Sequence, residues 1–239
     1  MAFDLVLRNA RILDAETVLD IGIAGGRIRA IETDLAAEGE SLDLTDCMVS
    51  PGLIETHIHL DKSRILDRCS AAPDRGTDHM ARVAAVKATF SVEDVHARAK
   101  ATLEDCIAHG TTHIRTHVEV DPNVGLRGFE ALQQLAREYR WAVDMEICVF
   151  AQEGWSGVPE ADTNVVEALR RGASVVGGAP GYDVNRAWQI NRIFELAREF
   201  NVDVDIHLDV GPTTDDMDIH QVCDLTQQYG WGGRVTVGH

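Results

Sequence analysis

Basic residues are few in this sequence of 239 residues: 22 Lys and Arg stand against 39 Asp and Glu, for a formal net charge of −17. Nucleic-acid-binding proteins usually carry a basic face, so this balance argues against a nucleic-acid partner. No apolar run approaches the roughly 18 residues of a membrane-spanning helix, which argues against a membrane protein. The N-terminal stretch has acids among its apolar residues and no small-residue cleavage site, so we predict no signal peptide.

Cysteine is also scarce. The five cysteines are odd in number and scattered, and no two form a C-x-x-C pair. This pattern argues against a zinc knuckle and a disulfide framework, and it is typical of reduced thiols in a cytoplasmic protein. The strand–helix series that begins at residue 53 has no G-x-G-x-x-G loop after its first strand, which argues against a Rossmann-type cofactor-binding domain.

Strands and helices alternate along most of the chain. Residues 3–49 contain short strands of alternating apolar and polar residues, with a hairpin turn at Gly25-Gly26, and predict a small β unit. Six further strands are predicted to start at residues 53, 112, 142, 173, 202 and 234. Helices separate them, and one spans residues 91–109 with a capping box that begins at Ser91. This order predicts βα units around a parallel sheet.

The predicted fold class is α/β, with a (β/α)8 barrel of the TIM type in residues 51–239 and the small β unit in residues 1–50. A barrel is favoured over an open sheet because functional-looking side chains stand at the carboxyl ends of the strands, where barrel active sites lie. A complete barrel needs eight strands. We therefore expect the barrel to be incomplete at the C-terminus of this sequence, by two strands.

Histidines mark the ends of several predicted strands, first in the stretch PGLIETHIHLDK, residues 51–62. His57 and His59 face the same way because side chains alternate along a strand, so both imidazoles can reach one metal ion. His207, which ends the fifth strand of the series, can supply a third nitrogen. Neutral imidazoles are typical ligands of zinc and iron(II), and we predict one divalent ion. His117, which ends the second strand, is predicted to contact the substrate.

Lys62 follows this histidine pair and is a candidate catalytic residue. A desolvated lysine next to a metal can have a lowered pKa and can donate a proton or a hydrogen bond. The alternative is structural: Lys62 forms a salt bridge with Asp61 or lies on the surface. The histidine pair has a structural alternative as well, as two half-buried rings hydrogen-bonded to their neighbours.

The stretches SPGLIETHIHLDK, RTHVEV, FAQEG, DIHLD and RVTVGH resemble, in order and spacing, the amidohydrolase superfamily and its cytosine deaminase-like branch. The resemblance covers essentially the whole chain and implies that the N-terminal β unit is part of a small flanking β-sandwich. It implies that His57, His59 and His207 bind the metal ion. It further implies that His239 contacts the attacking water or the developing oxyanion, and that Gln152 hydrogen-bonds the substrate ring.

The sequence departs from the family pattern at two places. The family's proton-shuttling glutamate, three residues after the fifth-strand histidine, is replaced by Val210, and the neighbouring Asp209 should face the other way. The family's fourth metal ligand, an aspartate of the eighth strand, is expected beyond residue 239. The fourth strand ends without a lysine or glutamate, which favours one metal over two, and Gly177 and Gly178 there are expected to leave room for a substrate.

These observations predict a metal-dependent hydrolase that acts on C–N bonds of a nitrogen heterocycle, by deamination or by release of an amine. Water activated by a zinc or iron(II) ion is expected to attack a ring carbon. Two alternatives stay open: a cyclic amide hydrolase of the same superfamily, and a catalytically incomplete metal-binding fragment. We also expect a small-molecule substrate, a homo-oligomer and a cytoplasmic location.

Overall fold

The computed structural model describes residues 2–36, 38–69, 79–211 and 213–239, without the side chains of residues 79 and 80. The chain divides into two compact units, Met1–Gly52 and Leu53–His239. No helix among the described residues is long and apolar enough to cross a membrane.

The N-terminal unit is a small mixed β-sheet. Its strands are β1 (Leu5–Ile12), β2 (Leu19–Ala24), β3 (Arg27–Glu32), β4 (Glu40–Asp43) and β5 (Met48–Val49). The strand order is β3-β2-β1-β4, and β5 also pairs with β1. The predicted hairpin turn at Gly25-Gly26 joins β2 to β3, and the φ angles of these glycines, 60° and 68°, lie in the left-handed region. Phe3, Val6 and Leu35 form the core of this unit.

The second unit is built on six parallel strands in chain order, an open half-barrel among the described residues. Every strand begins within two residues of its predicted start, so the predicted parallel βα series is confirmed. The parallel strands have apolar residues on both faces, as expected where helices cover a sheet. They are β6 (Leu53–Ile58), β7 (Thr111–Glu119), β8 (Asp144–Phe150), β9 (Val175–Gly178), β10 (Asp203–His207) and β11 (Val235–Gly238).

Helices connect these strands, and their ends follow local capping chemistry. The backbone N–H of Asp94 donates to the Ser91 side chain at 3.2 Å, so the predicted helix start at Ser91 is confirmed. The helices are α1 (His79–Lys87), α2 (Val92–Ala108), α3 (Arg127–Glu138), α4 (Pro159–Arg170), α5 (Arg186–Phe200) and α6 (Ile219–Tyr229).

The two glycines of β9 are required by close packing, and the expectation that they leave room for a substrate is wrong. A Cβ atom at Gly177 would lie 2.5 Å from the Asp205 backbone oxygen and 2.7 Å from the Cys148 Sγ. A Cβ atom at Gly178 would lie 2.5 Å from the Ile193 Cδ1. Glycine therefore lets β9 approach β10 and α5 closely.

Candidate active site

Five histidine rings gather at the carboxyl ends of the strands. His57 and His59 come from the end of β6, and His207 ends β10. The ring centroids of His57 and His207 are 4.7 Å apart, and those of His59 and His207 are 5.2 Å apart. One nitrogen from each of these three rings can be chosen so that all three lie within 4.8 Å of one another. The structure thus brings together the three predicted metal ligands.

The nitrogen geometry of this group suits a divalent ion. His59 Nε2 and His207 Nε2 are 3.1 Å apart, close to the spacing of about 3.3 Å for two nitrogens on one tetrahedral zinc ion. His57 Nε2 is buried and has no hydrogen-bond partner among the described residues. A buried polar atom without a partner costs about 1–3 kcal/mol, and a bound cation would remove that cost at His57. Imidazole suits both zinc and iron.

The histidines of this group are held in the neutral form. Burial lowers the pKa of His57, with a further decrease from His117, and burial also lowers the pKa of His59. Burial, followed by the neighbouring rings, lowers the pKa of His207 to about 3. All three rings are therefore unprotonated at neutral pH, the form in which imidazole binds a metal.

His117 lies beneath this group. Its ring is fully buried and stacks on His57 with the centroids 4.0 Å apart. Its Nε2 is 3.3 Å from Asp205 Oδ1, and the other Asp205 oxygen accepts a hydrogen bond from Arg115 at 3.0 Å. Burial by itself raises the pKa of Asp205, but His117 and Arg115 outweigh it and the pKa falls. The substrate contact of His117 stays a prediction, and no pattern in the sequence pointed to Asp205.

His239 lies at the open side of the cluster. It follows β11 directly, and its ring centroid is 5.2 Å from those of both His57 and His207. The residue is exposed. It is therefore near enough to the metal-binding group to touch a molecule bound there, while it remains open to solvent.

Lys62 forms an ion pair that the sequence analysis did not foresee. It lies in a 3-10 turn, Leu60–Lys62, and its Nζ contacts Glu119 Oε1 at the end of β7. The predicted alternative partner, Asp61, instead accepts a hydrogen bond from the Lys62 backbone at 2.9 Å. Glu119 is buried, and the lysine side chain is 19% exposed. The one sequence signal for Glu119 was its place near the carboxyl end of a predicted strand, a place it shares with structural residues.

Gln152 follows β8 and is buried, at 4% exposure. Its Nε2 is a donor with no hydrogen-bond partner among the described residues. Buried side-chain amides are normally satisfied, so an unpaired donor near a strand end is a place where a ligand can bind.

The residues after β10 have other roles. Asp209 has a φ of 56°, and its two oxygens accept hydrogen bonds from the backbone of Asp218 at 2.7 Å and Ile219 at 3.1 Å. The carboxylate thus caps the start of α6, and these hydrogen bonds occupy both of its oxygens. Val210 is 62% exposed and carries no titratable group.

The family model described as amidohydrolase matches residues 48–221, which include β6 to β10 and four of the five clustered histidines, His57, His59, His117 and His207. The chain belongs to the amidohydrolase family. This confirms the resemblance seen in the sequence, and the strand series corresponds to part of the TIM-type barrel of that family.

Two groups of relatives match this amidohydrolase over nearly its whole length. N-isopropylammelide isopropyl amidohydrolase of Pseudomonas sp. strain ADP is 32% identical, over 99% of this chain and 61% of the relative. The crystal structure of 5-methylcytosine deaminase from Klebsiella pneumoniae with 5-fluorocytosine has a TM-score of 0.89 at 27% identity, over 98% of this chain and 58% of that one. N-isopropylammelide isopropylaminohydrolase of Burkholderia multivorans has a TM-score of 0.84 at 30% identity, over 98% and 60%. The chain thus spans about six-tenths of the length of these relatives.

Proposed function

We propose that this protein is a metal-dependent hydrolase that cleaves the bond between a nitrogen heterocycle and its exocyclic amine. The observation that carries the proposal is the convergence of His57, His59 and His207, from two strands, with nitrogens within 4.8 Å. The names of the relatives add the substrate class, because they denote deaminases and aminohydrolases of ring compounds. The products are the ring oxo compound and ammonia or an alkylamine.

The metal ion is proposed to bind to those three histidines, with zinc and iron(II) both compatible with the ligand set. A divalent ion there supplies Lewis acidity, which activates water toward a C–N bond at neutral pH. The protein contributes unprotonated imidazoles, because burial lowers the pKa of each ring. His117 packs against His57 and fixes the plane of that ring.

The remaining predicted residues are proposed to bind and protonate the substrate. Gln152 donates its unpaired Nε2 hydrogen bond to a ring oxygen or nitrogen, which fixes the orientation of the ring. Lys62, whose Nζ contacts Glu119, donates a proton or hydrogen bond to the ring or to the departing amine. His239 holds the attacking water or the oxygen that develops negative charge.

Val210 favours release of an alkylamine over deamination of cytosine. A valine cannot carry the proton that a glutamate at this position delivers to the ring nitrogen in cytosine deaminases, and Asp209 is occupied at the start of α6. Lys62, three residues after His59 in the chain, can take that part. We therefore propose N-alkylamino triazines and pyrimidines as the preferred substrate class.

A substrate panel tests the proposal. The purified protein, loaded with zinc or iron(II), is incubated with N-isopropylammelide, cytosine, 5-methylcytosine and hydantoin, and the products are separated by liquid chromatography. We expect release of isopropylamine or ammonia, its loss on chelation, and its loss in His57→Ala. Ring opening of hydantoin alone would instead identify a cyclic amide hydrolase, and no hydrolysis of any compound would contradict the proposal.

Three expectations from the sequence stay predictions. They are the domain boundary at residue 50, the homo-oligomer and the cytoplasmic location.

A further inference from the structure

Lysine is rare in this chain, and two of its three lysines meet at one buried carboxylate. The lysines are Lys62, Lys87 and Lys100. Lys62 Nζ contacts Glu119 Oε1, and Lys87 Nζ contacts Glu119 Oε2. Lys100 lies on α2 with its side chain 46% exposed. The proposed reaction uses Lys62 and leaves Glu119 and Lys87 without a role.

Lys87 is buried to a degree that is unusual for its type. Its side chain is 1% exposed, and it also contacts Asp121 Oδ2 at 3.1 Å and Glu153 Oε1 at 2.6 Å. Burial by itself lowers the pKa of Lys87, but Glu119 and Asp121 outweigh it and the pKa rises. The ammonium is therefore charged. Buried ion pairs of this kind are weak sources of stability, because desolvation offsets much of the attraction, so a role in specifying geometry is worth testing.

The backbone around Lys62 is fixed to the same strand as Glu119. The two oxygens of buried Asp61 accept from the Lys62 backbone at 2.9 Å and from the Glu119 backbone at 3.0 Å. The Leu60 backbone N–H donates to the Thr116 hydroxyl at 3.2 Å. The turn that carries Lys62 is thus anchored on β7, and Glu119 at the end of β7 then sets the direction of the lysine side chain.

The ion-pair network of Lys62, Glu119, Lys87, Asp121 and Glu153 also reaches the loop that carries Gln152. Asp121 contacts Lys87 with one oxygen, and its other oxygen accepts from the Glu153 backbone N–H at 2.7 Å. Glu153 follows Gln152 in the chain, and its side chain also contacts Lys87. One continuous set of charged contacts therefore runs from Lys62 to the residue beside Gln152.

We propose that Glu119 and Lys87 are positioning residues: Glu119 orients the Lys62 ammonium, and Lys87, through Asp121 and Glu153, holds the same carboxylate in register with the Gln152 loop. The network fixes the separation of the two groups that bind the substrate ring on the proposed function. A displacement of about 1 Å in such groups can lower a rate about 100-fold, so the geometry of the network matters for catalysis.

Chemical labelling of the lysines tests the orientation of Lys62 without any substrate. The Lys62 ammonium contacts a buried carboxylate and its side chain is 19% exposed, so its access to an acetylating reagent is restricted. The rate of acetylation at Lys62 is measured by peptide mass spectrometry relative to Lys100, in the wild type and in Glu119→Gln. We expect the Lys62-to-Lys100 ratio to rise at least about threefold in the variant, with the metal content unchanged.

The matched control is Glu130→Gln, on α3, because Glu130 is partly exposed and pairs with Arg171. It removes a carboxylate from a surface ion pair and should leave both the labelling ratio and the activity unchanged. If Glu119→Gln does not fold, the double variant Glu119→Gln/Lys87→Met takes its place in the same measurement. The double variant removes one charge of each sign from the buried ion pair.

Steady-state kinetics then distinguish a positioning role of Glu119 from a role in protein stability alone. With N-isopropylammelide as substrate, we expect Glu119→Gln to lower kcat by about 10- to 100-fold, with a smaller change in KM. An unchanged labelling ratio, or an unchanged kcat beside a raised ratio, would overturn the proposal. If the wild type hydrolyses none of the substrates tested, the proposed function fails, and the labelling ratio alone still decides whether Glu119 positions Lys62.

Discussion

His59 Nε2 lies 3.1 Å from His207 Nε2, although 148 residues separate the two in the chain. The first is placed by the end of β6 and the second by the end of β10, two strands that do not pair with each other. The curvature of the parallel sheet brings their ends together. Because burial keeps both rings neutral, both nitrogens can offer a lone pair to one ion.

We expect metal content to depend on this pair. His207→Ala should raise the Kd for zinc by more than the roughly 10- to 100-fold that loss of an outer partner of a ligand costs. His220→Ala is the matched control, since His220 is an exposed histidine of α6. Metal is measured by elemental analysis after dialysis. Stoichiometric zinc in the His207 variant would refute the proposed ligand set.

Gln152→Met should weaken substrate binding without unfolding the protein. Methionine has a similar volume and lacks the Nε2 donor, which has no partner among the described residues. We expect KM for N-isopropylammelide to rise about 10-fold or more, from loss of one buried hydrogen bond. Steady-state kinetics measure this. Gln134→Met, on the exposed face of α3, is the control, and equal KM values in the two variants would argue against the role of Gln152.

Lys62→Met should lower kcat by about 100- to 10,000-fold, the range typical of a lost general acid. The metal content should not change, because Lys62 is not among the three proposed ligands. Kinetics and elemental analysis of the same preparation test this. Lys100→Met, at an exposed position of α2, provides the control. A Lys62 variant with wild-type kcat would assign the residue a purely structural role.

Asp183→Asn should destabilise the fold by about 1–3 kcal/mol at neutral pH, because Asp183 joins the loop after β8 to the loop after β9. It accepts from the Trp155 backbone at 2.7 Å and from Gln189 Nε2 at 2.7 Å. Burial by itself raises the pKa of Asp183, but hydrogen bonds from the Ser156 side chain and from the backbone N–H groups of Asn185 and Trp155 outweigh it, and the pKa falls below the ordinary 3.8.

The pH dependence of this effect follows from the direction of the shift. A carboxylate whose pKa is lower in the folded state stabilises the folded protein above pH 3.8. That stabilisation is lost as the pH falls through the folded-state pKa. The difference in the free energy of unfolding between the wild type and Asp183→Asn should therefore become smaller below pH 3.8. Urea unfolding at several pH values measures it, with the exposed Asp144→Asn as control. A difference that stays constant with pH would count against a charge-dependent contribution.

Gly177→Ala should destabilise the protein by about 1–3 kcal/mol, as overpacking usually does. The added Cβ would lie 2.5 Å from the Asp205 backbone oxygen, which belongs to a paired strand and cannot move alone. Gly181→Ala is the matched control, because a Cβ there meets nothing within 4 Å. Thermal unfolding compares the two. Equal melting temperatures of the two variants would mean that β9 and β10 can move apart without loss of stability.

Much of the fold could be read from local patterns. The Gly25-Gly26 hairpin and the helix start at Ser91 depend on interactions between residues close in sequence, and the alternation of strands and helices shows in the local periodicity of apolar residues. The roles of Gly177 and Gly178 were misjudged. The reason for glycine there is the approach of a neighbouring strand and helix, which no pattern around residue 177 reveals.

By itself the sequence determined which side chains could form the candidate site, because a period of two directs His57 and His59 to one face and the βα order places His207 at the same end of the sheet. Only the tertiary structure decided how those groups are held. It paired Lys62 with Glu119, 57 positions away, and it buried His117 between His57 and Asp205. Ion pairing and desolvation depend on neighbours brought from distant parts of the chain, so the partner of a charge is fixed when the strands pack together.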